Sequence, residues 1–378
     1  MAEDIEENHI VQLKEELDDD YVNDDLYNIS SWGADFSFRE LIMMYEDGDL
    51  VKPELQRKYV WGKPEASRFI DSVLLGLPIP SVFFAKTEDG KMLIIDGYQR
   101  LMTINDYVRG LWSEDNKVFK LSNIAEKIND RWRGLAFSEL HEAEKRKIKT
   151  TTIHAIIFEQ KKPTDSDTSL YQIFERINTS GRTLMPQEIR NCVYQGNFNS
   201  LLFQLNTNKS WRKLFGQEIE DSRMRDLEYI LRFFALDFVY NEGSSKSNIS
   251  LKKYLNEFMG SKANNSTKNI QEFNDAFNST IAIIERLLGE NAFYNIQSTD
   301  LSTIRKRFYP TLFDSIMIAT NYAMKKGYNV SNVNESKRLR LLKDDKFRKY
   351  ISEGTMQVEH IRGRINLALK YLYDIDNE

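Results

Sequence analysis

Apolar residues recur at helical spacing in several stretches of this chain and at strand-like spacing in a few, and their order outlines a fold. Phe38, Leu41, Ile42 and Tyr45 fall on one helical face and are followed by Asp47 and Gly48, which predicts a helix over 37–45. Phe69, Ile70, Val73 and Leu74 predict a second helix over 68–75, stopped by Gly76. Pro78 and Pro80 then hand the chain to two short apolar runs, 81–85 and 92–95, separated by Asp89-Gly90, a hairpin turn sequence. Helical spacing resumes through Leu101, Ile104 and Val108 and ends at Gly110. The polar group 96–100 therefore sits on a strand-to-helix corner, where a helix start leaves backbone N–H groups unpaired. A strand over 151–159, a helix over 169–177 and a helix opened by Pro186 and closed by Gly196 follow. Beyond Gly196 the spacing is almost wholly helical, clearest over 226–240, with a loop over 241–250.

The predicted class is α+β: a mixed domain over 29–196, then an all-α domain over 197–378. Ahead of them lies a leader, 1–28, with weak helical spacing through Ile10, Leu13 and Leu17 and an acidic run at Asp18, Asp19 and Asp20, read as flexible or as a loosely docked helix. With 378 residues, 41% of them hydrophobic, the chain can fill a core in each of about two domains. It contains no apolar run of the ~18 residues that a membrane-crossing helix needs. The N-terminus is acidic where a targeting peptide is basic, so a cytoplasmic protein is expected. One cysteine, Cys192, excludes an intrachain disulfide framework, and four scattered histidines offer no zinc spacing, so no metal ligand set is assigned.

Charge divides the chain. The net of −5 hides a leader with 11 acids and one lysine; the remainder holds 51 of the 52 bases but only 46 of the 57 acids, a balance of +5. Bases concentrate over 335–370, where ten of them face five acids, and Arg305-Lys306-Arg307 forms a smaller patch. Such patches serve either as phosphate-contacting surface for DNA or as solvated helix faces with ion pairs.

Candidate chemistry gathers in three places. In Asp96-Gly97-Tyr98-Gln99-Arg100 the glycine permits a tight corner, the arginine offers a planar fork to phosphate oxygens, and the aspartate can hold a metal or orient a water. The alternative is a helix cap with a surface ion pair. The run 174–182 ends a helix in Asn178-Thr179-Ser180-Gly181, flanked by Arg176 and Arg182; it suits a phosphate loop or an ordinary C-cap with turn residues. In Gln56-Arg57-Lys58-Tyr59-Val60-Trp61, bases alternate with aromatics, as at a nucleotide-facing surface or on a core-facing strand.

Together, in order and spacing, the segments 54–61, 94–103 and 174–190 resemble the N-terminal domain of the GmrSD-type restriction-endonuclease family over roughly residues 30–196. The resemblance implies a ParB/sulfiredoxin-like fold and a role in bacterial defence against phage DNA, in many members dependent on DNA modification. It also implies a nucleoside triphosphate, with Mg2+, bound and hydrolysed at an Asp-Gly-Gln-Gln-Arg motif. Carried over, Asp96 and Arg100 are the catalytic candidates, and Gln99, Arg57, Arg176, Asn178 and Gly181 the nucleotide-binding ones. Tyr98 stands where the family has the first glutamine, which puts hydrolysis in question. Relatives often end in a histidine-dependent nuclease domain. Here Val358-Glu359-His360-Ile361 resembles its opening, but Gly363 replaces the expected proline and a short tail follows. One histidine without partners makes no nuclease. Two readings follow: a nucleotide-binding, NTP-hydrolysing sensor or regulator acting on phage DNA with a separate nuclease subunit, or a non-enzymatic DNA-binding or protein-interaction module with a decayed nucleotide site. The acidic leader is expected to dock on the basic surface and compete with DNA.

Overall fold

A computed structural model describes residues 9–13, 29–52, 61–87, 89–123, 128–160, 169–177, 185–297 and 300–376. The described residues form fifteen α-helices, a five-stranded mixed sheet in the N-terminal part and a two-stranded ribbon in an otherwise helical C-terminal part.

The sheet has the order β1-β5-β3-β4-β2. Strand β1 (Ile29–Ser37) pairs antiparallel with β5 (Thr152–Gln160), which pairs parallel with β3 (Val82–Lys86); β3 pairs antiparallel with β4 (Met92–Asp96), and β4 parallel with β2 (Leu50–Val51). Because side chains alternate along a strand, each strand serves two layers. Phe84, Ile94, Ile153, Ala155 and Ile157 point into a core shared with α1 (Phe38–Glu46), α2 (Lys63–Leu75), α3 (Tyr98–Arg109) and α4 (Glu142–Thr150). Ala85, Leu93 and Ile95 point the other way, onto α5 (Ser169–Ile177) and α6 (Pro186–Val193).

Local signals account for the helix ends. Ser37 and Glu40 form a reciprocal capping box at the start of α1, with Ser37 N–H donating to Glu40 Oε2 at 2.7 Å and Glu40 N–H to Ser37 Oγ at 3.3 Å. Pro64 opens α2, and Gly76, in the left-handed region, closes it.

The C-terminal part is a helical body, α7 (Asn197–Asn206), α8 (Lys209–Phe215), α9 (Arg225–Glu242), α10 (Leu251–Gly260), α11 (Thr267–Leu288), α12 (Pro310–Lys325), α13 (Glu335–Lys343), α14 (Asp345–Ser352) and α15 (Val358–Tyr373). Its core is aromatic: Trp211 lies 5.1 Å from Phe215 and 5.4 Å from Phe313, which lies 5.4 Å from Phe308. At the centre the Arg232 guanidinium forks onto Asp314 at 2.7–2.9 Å, all fully buried. The ribbon, β6 (Tyr294–Ile296) with β7 (Ile304–Phe308), interrupts what the spacing predicted as all-α.

Part of the expected flexible leader is docked on this body. Phe308 N–H donates to His9 O at 3.0 Å and Val11 N–H to Phe308 O at 2.9 Å, so residues 9–11 lie parallel along β7. Ile10 is 5% exposed within the C-terminal core, and the His9 ring sits edge-on to Phe215 and hydrogen-bonds its carbonyl. The helical spacing expected here gives way to a strand-like bridge. Leu17 and the acidic run beyond it lie outside the described residues.

Candidate functional site

The Asp96–Arg100 corner is built by β4 running out into α3. Gly97 between them has φ +101°, and a Cβ there would stand 2.4 Å from Val82 Cγ1, so both conformation and space require glycine. No side chain caps α3; its first internal bond is Leu101 N–H to Gly97 O at 3.0 Å. The N–H groups of Tyr98, Gln99 and Arg100 therefore lack an acceptor inside the helix, at the end where the helix dipole is positive.

Arg100 is largely enclosed, 12% exposed. Its Nη1 donates to Pro80 O at 2.7 Å and Ser81 O at 3.1 Å, and its Nη2 to Asp96 Oδ2 at 2.5 Å. The fork expected to hold phosphate thus spends three of its five N–H donors on the protein and leaves Nε–H and one Nη2–H. Asp96 is 41% exposed and keeps Oδ1 available. Gln99 Oε1 accepts from Trp61 N–H at 3.3 Å, which ties the end of the 56–61 segment to the corner, while the Trp61 ring packs 5.8 Å from Phe69.

Tyr98 turns away. At about 100° per residue it stands about 200° around α3 from Arg100. It packs on the α1–α4 core, where burial first, and then Tyr45, Asp106 and Glu114, push its phenol up to about 12. A narrow apolar crevice lies on this same side, between α1 and α3, lined by Phe38, Leu41, Tyr45, Met102 and Asn105 among others. It is packing space between helices. Asp106, about two turns beyond Tyr98, is committed to the following loop: it accepts from Ser113 N–H at 2.9 Å and Ser113 Oγ at 2.6 Å, while burial raises its pKa.

Of the other candidates, Arg176 stands exposed in the last turn of α5, on the helix that covers the opposite sheet face from α3. Arg57, Asn178 and Gly181 lie outside the described residues. Among the described residues no three His, Cys, Asp or Glu side chains converge to hold a metal. His360 is engaged in packing: its Nδ1 bonds Glu353 O at 2.7 Å and its ring lies 4.6 Å from Tyr350.

A polar cluster on α6 is not apparent from the sequence. Gln187, Glu188, Arg190 and Asn191 are all buried. Arg190 reaches Glu228 Oε2 of α9 and Asn256 Oδ1 of α10, both at 2.7 Å, and Gln187 Oε1 at 3.0 Å, while Lys252 of α10 pairs with Glu175 of α5 at 2.5 Å. These contacts fasten α5 and α6 to the helical body. The one signal in the sequence, four polar residues in an eight-residue helix, suits a solvated helix equally well.

The ten bases of 335–370 divide: Arg340, Lys343, Lys346, Lys349 and Arg362 are exposed and Arg348 lies 3.8 Å from Asp345, while the other four are engaged. Arg338 is buried, held by Glu335 and by Tyr294 O at 2.7 Å, and Arg364 is buried against Asp314 and Thr355 O. Lys337 pairs with Asp374 at 2.6 Å and Lys370 with Asp376 at 3.3 Å. No helix among the described residues is long and apolar enough to cross a membrane.

No curated protein and no solved structure matches the chain. A family model does: that of the GmrSD restriction endonuclease N-terminal domain, over residues 38–195, from the start of α1 to just beyond α6. The match takes in the corner and the six helices that enclose the sheet, and leaves the helical body unmatched. Residues 38–195 thus match the N-terminal domain of the GmrSD restriction-endonuclease family, and that domain implies a role in a restriction system acting on DNA.

Proposed function

We propose that the Asp96–Arg100 corner binds a nucleoside triphosphate with Mg2+, and that the chain is the nucleotide-responsive sensor or regulatory component of its restriction system, with DNA cleavage supplied by a separate nuclease. The observation that carries this reading is the uncapped start of α3 beside one arginine and one carboxylate. Backbone N–H groups at a helix start suit phosphate oxygens, and the two remaining donors of Arg100 add a charged contact. A single carboxylate with one open oxygen, Asp96 Oδ1, suits Mg2+, which is commonly held by one or two carboxylates together with the nucleotide's own phosphates. Gln99 would hold Trp61 beside the ligand. Bound Mg2+ would supply charge neutralisation at the phosphates. The engagement of His360 with Glu353 and Tyr350 supports assigning cleavage to another chain.

The alternative, a decayed nucleotide site, drew its support from Tyr98. That side chain packs on α1's side of α3, so its replacement of glutamine does not remove a group from the corner. The test is titration of the protein with nucleoside triphosphates, with and without Mg2+, following tryptophan fluorescence because Trp61 adjoins Gln99. Saturable Mg2+-dependent binding that is lost in Asp96→Asn and weakened in Gln99→Ala is expected. Equal binding by Asp96→Asn and the natural protein would sink the assignment.

A further inference from the structure

Four of the exposed bases on the helical body stand together with no acid to answer them. Arg340 and Lys343 lie in the last turn of α13 and Lys346 and Lys349 on α14; all four are exposed, and none forms an ion pair among the described residues. The inward sides of the two helices are taken by Leu341 and Leu342 and by Phe347 and Ile351, all buried. On each helix the two bases are three residues apart, which puts their Cβ atoms about 5–6 Å from each other on one face. A single residue, Asp344, is both the C-cap of α13 and the N-cap of α14, so the Cα atoms of Lys343 and Lys346 are within ~11 Å.

The acids nearby are already engaged. Asp344 accepts from Phe347 N–H at 2.8 Å and from the Tyr371 hydroxyl at 2.9 Å, and Asp345 lies 3.8 Å from Arg348. Over 340–349 five bases face two acids, a balance of +3. Helix stability accounts for Arg340 and Lys343, which suit the negative C-terminal end of α13, but not for Lys346, which stands in the first turn of α14, where a cation is unfavourable. Over 340–353 no aromatic ring is exposed, and Tyr350 packs on His360 at 4.6 Å. Point charges without a stacking platform suit a duplex phosphate backbone rather than unstacked bases. Other exposed bases do not join the group. Gly363 of α15 faces the Tyr350 ring of α14, where a Cβ would meet it at 2.5 Å, whereas the neighbouring Arg362 guanidinium lies over Gly243, beyond the end of α9. On β7 only Arg305 and Lys306 are exposed.

We propose that this face of α13 and α14, carrying Arg340, Lys343, Lys346 and Lys349, binds the phosphate backbone of duplex DNA without reading its sequence. The face belongs to the helical body, outside residues 38–195, and its binding does not depend on the nucleotide corner. The helical body then holds the chain on DNA, and the corner is left to respond to nucleotide.

The experiment follows binding of a short fluorescent DNA duplex of arbitrary sequence by anisotropy, without nucleotide, from about 50 to 200 mM salt, a range over which phosphate contacts weaken strongly. The test variant carries Arg340→Gln, Lys343→Gln, Lys346→Gln and Lys349→Gln. A control carries Arg305→Gln, Lys306→Gln and Arg362→Gln, which removes a similar charge elsewhere on the body. At about 0.9 in log–log slope for each phosphate contact, the test variant should lose about 3–4 from the salt slope and at least about tenfold in affinity at low salt, while the control stays within about threefold of the natural protein. Lys343→Arg, Lys346→Arg and Lys349→Arg together keep the charge and should bind as the natural protein does. If the four Gln substitutions lower the melting temperature, the pairs on α13 and α14 are made separately, each expected to remove about 1.8 from the slope. A slope unchanged by any of these Gln variants overturns the proposal. So does an equal loss in the control, which would make net charge alone the attraction, and so does weak binding by the charge-keeping variant. Retention of polyglutamate but not of the duplex would assign the face to an acidic protein and overturns the proposal as well.

Discussion

Arg100 gives the corner its sharpest test, because the structure assigns it a cost before any ligand is present. In Arg100→Ala, Pro80 O and Ser81 O lose a charged donor and Asp96 loses its partner. Each carbonyl bond is worth about 1 kcal/mol net, because the carbonyls can be rehydrated. The Asp96 pair adds about 0–1 kcal/mol, discounted because Asp96 is 41% exposed. The expected loss is about 2–3 kcal/mol. Urea unfolding followed by tryptophan fluorescence reads it as a lowered midpoint at unchanged slope in the transition that reports the N-terminal domain. Arg100→Lys should recover at most about 1 kcal/mol, since one ammonium can face Asp96 but cannot span both carbonyls as a planar fork does. A change below about 0.5 kcal/mol in Arg100→Ala would refute the reasoning that this side chain fastens the 80–81 loop to the corner. The consequence for function is that loss of nucleotide binding in Arg100→Ala is ambiguous by itself, whereas Asp96→Asn removes charge while sparing both carbonyl bonds.

Two further outcomes follow from the helical body. Asp314→Asn leaves the buried guanidinium of Arg232 facing a neutral amide, with Arg364 also within 3.2 Å, and should cost about 3–5 kcal/mol in chemical denaturation; a loss under 1 kcal/mol would mean that water or another group compensates. His9 is depressed below its ordinary value, chiefly by burial and further by Arg225, against the raising effects of its bond to Phe215 O and of Asp221. The unfolded chain then binds a proton that the folded chain resists, so His9 contributes stability above its unfolded pKa that is lost as pH falls below about 6.5. The natural protein should lose more melting temperature between pH 7.5 and 5.5 than His9→Asn does, and equal losses would argue against a buried neutral ring.

What could be read from the sequence tracks how local the determining forces are. Helices α1, α3 and α5 and strands β3, β4 and β5 fall close to their expected spans because each carries its own apolar period and its own stop: Gly110 ends α3 in the left-handed conformation, as expected. Strand β1 was not foreseen. Its sequence, Ile-Ser-Ser-Trp-Gly-Ala-Asp-Phe-Ser, has little strand preference, and it is extended because β5 pairs along its whole length. Gly33 there lies so close to the His154 ring, 2.6 Å from where a Cβ would sit, that its identity is explained only by a residue more than a hundred positions away. The ribbon was missed for a similar reason: Ile304-Arg-Lys-Arg-Phe reads as a small basic patch, and only Phe308, buried among Trp211, Phe215 and Phe313, shows that it is a strand entering a core. In the charge distribution the sign was legible and the position was not, since an arginine buried against a carboxylate, as Arg364 is against Asp314, counts in a sum as a surface arginine does.

The corner shows the same division at the scale of single residues. Gly97 and the strand-to-helix turn follow from neighbours in the chain, and both are where the motif implied. The role of Arg100 does not, because its carbonyl partners lie 19 and 20 residues upstream, in a loop whose course depends on how α2 packs on the sheet. Tyr98 is the instructive case. Counted as a letter in a motif, it is a departure beside the catalytic candidates and an argument for decay. Placed on a helix of 3.6 residues per turn, it points away from Arg100 and into the interface with α1, where an aromatic ring fills space next to Tyr45. A glutamine at this position would face the same interface, so a change there alters packing between α1 and α3 and leaves Asp96, Gln99 and Arg100 where they are. What the corner can do is decided by Asp96, Gln99, Arg100 and the backbone N–H groups of the first turn, all of which this chain retains.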